Sequence, residues 1–205
     1  MCFDSHVGAV VRSCNYYTCY ALRHVRKHLT TETVQIIACS VILSRIDYCN
    51  SLLYGAPVAV VEMLHKAQNN VASHMSSLQM CQCQTTTLNS VRWLPVHQRI
   101  QYRIVVITHK ALSTSIPAYI DELLQRQVTT RFLRSTDAPP LSVPWIHTET
   151  AKRAYCLAAP NVWNLLLNDI CNASSLSSFH AKLKSHILQL HRPTRDDIPT
   201  AAFLH

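Results

Sequence analysis

Apolar residues along this chain recur at helical rather than alternating spacing, so the pattern predicts helices and no sheet. A first helix is predicted over 10–29, and Thr30 or Thr31 with Glu32 supplies a break and a fresh N-terminus. Over 33–53, Val34, Ile36, Ile37, Val41, Ile42, Leu43 and Ile46 occupy nearly every direction on a 3.6-residue wheel. A helix surrounded by neighbours shows that pattern, which makes this segment the expected centre of the core. Tyr54-Gly55-Ala56-Pro57 reads as a turn, because glycine tolerates positive φ and proline biases its predecessor away from the helical region. A third helix is predicted over 58–77.

Residues 78–88 are polar and unpatterned, so a flexible connection is expected there. A short helical turn over 88–93 leads to Pro95, which sits where proline is tolerated ahead of a helix predicted over 96–113. On that helix Ile100, Ile104, Ile107 and Ala111 form an i, i+4, i+7, i+11 stripe, while Arg99, Arg103 and Lys110 fall about a quarter-turn away. One face packs and its flank is cationic. Ile116-Pro117 opens a short helix ending near 124, and 125–150, with Ala138-Pro-Pro-Leu-Ser-Val-Pro144, should be extended or looped. Short helices follow over 161–167 and over 176–190, the latter with Phe179, Leu183, Ile187 and Leu190 in register, and the tail over 193–199 is expected to be loose. The expected fold is all-α, an irregular multi-helix bundle with a Pro-rich extended segment and short C-terminal helices. Its expected parts are 1–78, 79–124 and 125–205.

Composition narrows the function classes. The 205 residues carry 19 Lys/Arg against 11 Asp/Glu, a net charge of +8, with 15% charged and 48% hydrophobic positions. Such a chain has enough apolar material for a core and is unlike charge-rich disordered sequences. Positive charge is spread evenly, with eight Lys/Arg and four Asp/Glu in residues 1–102 and eleven and seven in 103–205. With Gly8 and Gly55 as the two glycines, neither G-x-G-x-x-G nor a P-loop sequence can occur. The longest apolar stretch, Val34 to Leu43, falls short of a membrane span, and Met1-Cys-Phe-Asp-Ser-His lacks the basic and apolar regions of a secretory signal. The nine cysteines are odd in number and irregularly spaced, which reads as reduced thiols in an intracellular setting, nuclear or cytoplasmic and not secreted.

Four groups of residues invite a chemical reading. Cys14, Cys19, His24 and His28 are of the types zinc prefers, and a small zinc-binding interaction module is the alternative reading of this chain. A familiar finger needs about a dozen residues between the second Cys and the first His, whereas only four separate Cys19 from His24. Ligands spread along one helix also fail to converge on a tetrahedral ion, so no metal or other cofactor is expected. Cys81-x-Cys83 lies in the polar connection, and Asp196-Asp197 lies between prolines in the tail without the strand setting that a metal-binding acidic pair requires. The cluster Arg23, His24, Arg26, Lys27 and His28 suits either phosphates or the dipole at a helix C-terminus.

Five stretches taken in order resemble one family: Ser44-Arg-Ile-Asp-Tyr-Cys-Asn-Ser-Leu-Leu-Tyr-Gly-Ala-Pro57, Leu64-His-Lys-Ala-Gln-Asn-Asn70, Leu88-Asn-Ser-Val-Arg-Trp-Leu-Pro-Val-His-Gln-Arg-Ile100, Lys110-Ala-Leu112 and Arg153-Ala-Tyr-Cys-Leu-Ala-Ala-Pro-Asn-Val-Trp-Asn164. They are similar to the region downstream of the polymerase palm in reverse transcriptases of LINE-type (non-LTR) retrotransposons, in the jockey and chicken-repeat group. The resemblance covers roughly residues 10–190 and implies a thumb-like helical region that follows the palm of an RNA-directed DNA polymerase and grips nucleic acid. The palm's Phe/Tyr-x-Asp-Asp sequence does not occur here, so no catalytic residue carries over and no enzymatic activity is expected. The chain departs from the family pattern at Leu165-Leu-Leu167, where Ser-Leu-Pro is usual, and at Ala151-Lys152, where Gly-Asp or similar is usual. The expectation is a non-catalytic fragment, a relic or a stand-alone reading frame, with sequence-independent affinity for RNA or DNA backbone. Arg99, Arg103 and Lys110 are the first candidate contacts, and Arg23, Arg26 and Lys27 the second.

Overall fold

Asp4 opens the first helix, where a carboxylate complements the positive end of the helix dipole. The computed structural model describes residues 3–76, 93–127, 140–148 and 150–190. The expected connection over 78–88, the turn over 88–92, the Cys81/Cys83 pair and the tail with Asp196 and Asp197 lie outside the described residues. Helix α1 runs continuously over 4–28 as an α-helix Asp4–Tyr16, a π-helical stretch Tyr17–Leu22, a turn Arg23–Val25 and a 3-10 turn Arg26–His28. It begins before the predicted position 10 because Val7 joins Cys14 on the buried face, leaving Asp4, Ser5 and His6 in solvent. Leu29 is extended and ends the helix, and Thr30 then caps the next one by accepting from the Thr33 N–H at 3.4 Å.

Helix α2 covers 31–47 as Thr31–Ile37, a π-helical stretch Ala38–Leu43 and Ser44–Asp47. It stops six residues short of the predicted 53, since Cys49 turns left-handed at φ 55° and a 3-10 turn Asn50–Leu53 takes over. Nor is α2 enclosed on all sides: Val34, Ala38, Ile42, Leu43 and Ile46 are buried, but Ile36 is 66% exposed. Ile36 lies about half a turn around the helix from Val34 and Ala38, so neighbours cover one face and leave the other in solvent. The two π stretches pack against each other. There the Cys14 thiol points at the Ile42 carbonyl at 3.9 Å, and Thr18 Oγ1 donates back to the Cys14 carbonyl at 2.7 Å. Hydroxyls bonded to a carbonyl one turn back compete with the backbone and bend helices.

Helix α3, Val58–Ser76, buries Leu64, Ala67, Gln68, Val71 and Ala72 and packs on α1. Helix α4, Val96–Thr114, closes when Ser115, at φ 52°, donates its N–H to the Ala111 carbonyl at 2.8 Å. It meets α2, the 3-10 turn, α3, the short helix α5 (Ala118–Asp121) and, farther along the chain, helices α6 (Tyr155–Trp163) and α8 (Leu176–Leu190). The centre of the bundle is therefore α4, not the expected 33–53 segment. Its buried stripe holds Ile100, Ile104 and Ala111 as expected; Ile107 is half-buried, and Val96, Val105 and Thr108 are buried beside it.

Helix α6 starts six residues before the predicted 161 and contains Pro160, because Leu157, Ala158, Ala159, Val162 and Trp163 are all buried around it. That burial outweighs the one backbone bond that proline cannot donate. Helix α7, Asn168–Cys171, leads to α8, where Phe179, Leu183 and Ile187 face the core and the side chain of Leu190 lies outside the described set. The Pro-rich segment is extended where it is described. Leu141 forms an isolated antiparallel bridge with Arg126, and the Asn164 side chain both donates to the Leu141 carbonyl and accepts from its N–H, each at 2.9 Å. Among the described residues there is no other β pairing, and the protein is all-α. One cluster of buried residues runs from Val7 to Ile187. Among the described residues no helix is long and apolar enough to cross a membrane.

Where α4, α6 and α8 meet, His109 stacks on Phe179 with ring centroids 3.8 Å apart, and its Nδ1 has no hydrogen-bond partner. Burial, and after it the charge of His180, push the His109 pKa below the ordinary 6.5. His74 is lowered by burial and then by Arg23 and Arg26. As pH falls through 6.5, the unfolded chain takes up protons that folded His109 and His74 refuse, so stability declines until both states are protonated. Urea midpoints measured from pH 7.5 down to 5 should fall, with a shallower slope in His109→Phe; an identical slope in that variant would refute the assignment. Phe179, fully buried, should cost about 3–5 kcal/mol on replacement by alanine in the same measurement.

Candidate nucleic-acid interface

Pro95, extended at ψ 153°, caps α4 without a side-chain bond and sets Arg99 and Arg103 one turn apart, with Lys110 two turns farther on. The three do not share one environment. Arg99 forks onto Asp47 at the end of α2, with Nε donating to Oδ1 at 2.7 Å and Nη2 donating to Oδ2. Asn50 Nδ2 reaches the same Oδ1 at 3.3 Å. The Arg99 side chain keeps 16% of its exposure and Asp47 keeps 40%, so the guanidinium is committed to the carboxylate. Arg103 and Lys110 are exposed and make no ion pair among the described residues. Of the predicted cationic flank, two members offer open charge and the third positions a helix.

The second predicted cluster sits at the C-terminal end of α1, where cations complement the helix dipole. Arg23 and Lys27 are exposed and Arg26 is half-buried. Both arginines act on His74 near the end of α3, so this cluster borders α3 while the α4 cluster borders α2 and α8. The four residues of the zinc reading are not brought together. Cys14 is buried, with burial raising its pKa against a smaller opposing effect of Arg45, and Cys19, His24 and His28 are exposed. Among the described residues no three Cys, His, Asp or Glu side chains are grouped to hold a metal ion.

Two features escape sequence reading. Arg45 lies over the Tyr17 ring, 4.7 Å from its centroid, while Tyr16 and Tyr20 stack at 5.0 Å with more than half of each side chain exposed. The i, i+4 spacing of Tyr16 and Tyr20 was the available signal. The second is a cavity of about 530 Å³ between α2, α4 and α8. Gln35, Cys39, Leu43 and Asp47, four residues apart each time, form its α2 wall; Arg99, Tyr102 and Arg103 form its α4 wall; Lys184 reaches it from α8. Nothing in the spacing of α8 separated Lys184 from its neighbour Lys182. Tyr102 Oη shares a 2.6 Å hydrogen bond with His180 Nδ1, which clasps α8 to α4 one turn before Lys184. Burial raises the Cys39 pKa, offset in part by Arg99, by the Trp93 indole and by Lys184, so the thiol stays protonated at neutral pH.

Compared with protein-family models, with curated proteins and with solved structures, the chain matches none.

The Arg99–Asp47 link spans 52 positions of sequence. Asp47→Asn keeps the shape but removes the charge that answers the guanidinium, and should lower stability by about 1–3 kcal/mol in urea unfolding. A variant as stable as the parent would show that the pair contributes nothing to the joint between α2 and α4.

Proposed function

We propose that this chain is a non-catalytic piece derived from a LINE-type retrotransposon reverse transcriptase, whose remaining capacity is sequence-independent binding of a nucleic-acid backbone. The observation that supports the reading is that four of the five stretches bearing the resemblance meet one another in the fold. Asp47 in the first stretch holds Arg99 in the third. Gln68 in the second donates to the Leu94 carbonyl in the third at 2.8 Å. Gly55 in the first, at φ +67°, stands where an added Cβ would come within 3.1 Å of Arg153 in the fifth. Polar and glycine positions in these stretches thus have tertiary work, as expected of segments that once folded together in a larger protein.

Binding follows from these cationic side chains. Lys and Arg placed against phosphates release condensed counterions, which gives affinity without sequence preference and with a steep dependence on salt. Arg103 and Lys110 make the α4 contact, Arg23, Arg26 and Lys27 the second, and Arg99 holds α4 in place for them. A setting where RNA or DNA is at hand, nuclear or cytoplasmic, goes with this reading. Fluorescence polarisation with duplex DNA and with RNA–DNA hybrid should show binding at low salt that weakens as a power of salt concentration. Each phosphate contact adds about 0.9 to the slope on a duplex, so Arg103→Gln with Lys110→Gln should lower it by about two. Absence of binding to both probes at low salt would overturn the binding half of the proposal.

A further inference from the structure

We propose that the cavity between α2, α4 and α8 is a nucleotide site, taking a phosphomonoester at Arg103 and Lys184 and the attached sugar and base against its inner wall. The charge balance points to the anion. Three cations, Arg99, Arg103 and Lys184, face one carboxylate, Asp47, which leaves +2 in a cavity whose Arg99 is already occupied. A phosphomonoester carries about −1.5 to −2 at neutral pH and matches that surplus. Arg103 and Lys184 stand on different helices, both exposed, so they converge on the cavity without crowding along one face.

The inner wall asks for more than phosphate. Leu43, Leu94 and Trp93 are each 4–5% exposed and supply an apolar surface. Asn50 also lines the cavity, its Nδ2 donating to Asp47. Inorganic phosphate cannot fill the apolar wall at the same time. The cavity, at about 530 Å³, is of the size that encloses small ligands. Choosing a nucleotide among phosphorylated compounds rests on the nucleic-acid reading above; the cavity and its charge do not. The same chemistry has two sources, a free mononucleotide or the 5′-phosphorylated end of a strand.

Calorimetry on the full chain with AMP, adenosine and inorganic phosphate tests the site. AMP should bind at least about tenfold tighter than either of the others, and Lys184→Gln and Arg103→Gln should each weaken it about tenfold or more. Lys66→Gln, exposed on α3 away from the cavity, should leave it unchanged. Unaltered far-UV circular dichroism of the variants separates lost binding from lost folding. Polarisation with a 5′-phosphorylated and a 5′-hydroxyl single-stranded oligonucleotide then assigns the source: a preference for the phosphorylated strand identifies a strand end, and equal binding alongside tight AMP identifies a free nucleotide. AMP binding no tighter than that of phosphate, or an unaffected Lys184→Gln variant, would overturn the inference. Loss of duplex binding with AMP binding intact would strike only the backbone reading, and the reverse only this one.

Discussion

The joint between Arg99 and Asp47 is the constraint on which the rest of the arrangement depends. Asp47 stands at the C-terminal end of α2 and Arg99 in the first turn of α4, so each charge is set against the dipole of its own helix. Across the joint each lies beside the terminus that favours it, and the two forked hydrogen bonds fix the approach of one helix end to the other. With α2 held in this way, its row of Gln35, Cys39 and Leu43 is aimed at Tyr102 and Arg103. The Tyr102–His180 bond then brings α8 and Lys184 to the same place.

The π-helical stretches serve that geometry. In a regular α-helix a four-residue step overshoots one turn, so a row of residues four apart drifts around the axis. In the stretch Ala38–Leu43 the winding per residue is smaller and the drift is taken back. That keeps Gln35, Cys39, Leu43 and Asp47 on one wall. The matching stretch in α1 lies against it, and the Cys14 thiol, facing the Ile42 carbonyl, fills the contact as a small apolar group.

Much of the fold is legible from spacing. The helices over 58–76, 96–114 and 176–190 fall close to where the apolar period placed them, as do the turn at Gly55 and the Thr30 cap. These features depend on residues within a turn or two of each other, where sequence distance and spatial distance agree. The two misplacements have different grounds. The predicted 33–53 helix ends at Asp47, just ahead of left-handed Cys49, and holds a π-wound stretch that a uniform period does not describe. Helix α6 ran through Pro160 because neighbours from other elements buried both sides of the proline. At Pro160 packing outweighed local preference.

The candidate site divides along the same line. Sequence by itself determined that α4 carries a cationic flank beside an apolar stripe, because both sets repeat with the period of one helix. It had no means of separating Arg99 from Arg103, since the carboxylate that claims Arg99 lies 52 positions away. Nor did it place Lys184 with Arg103 on one cavity. Tertiary structure decided those matters: whether a charge is open or cancelled depends on what another helix brings within about 3 Å of it, and hydrogen-bond and Coulomb energies fall off with separation in space, whatever the separation along the chain.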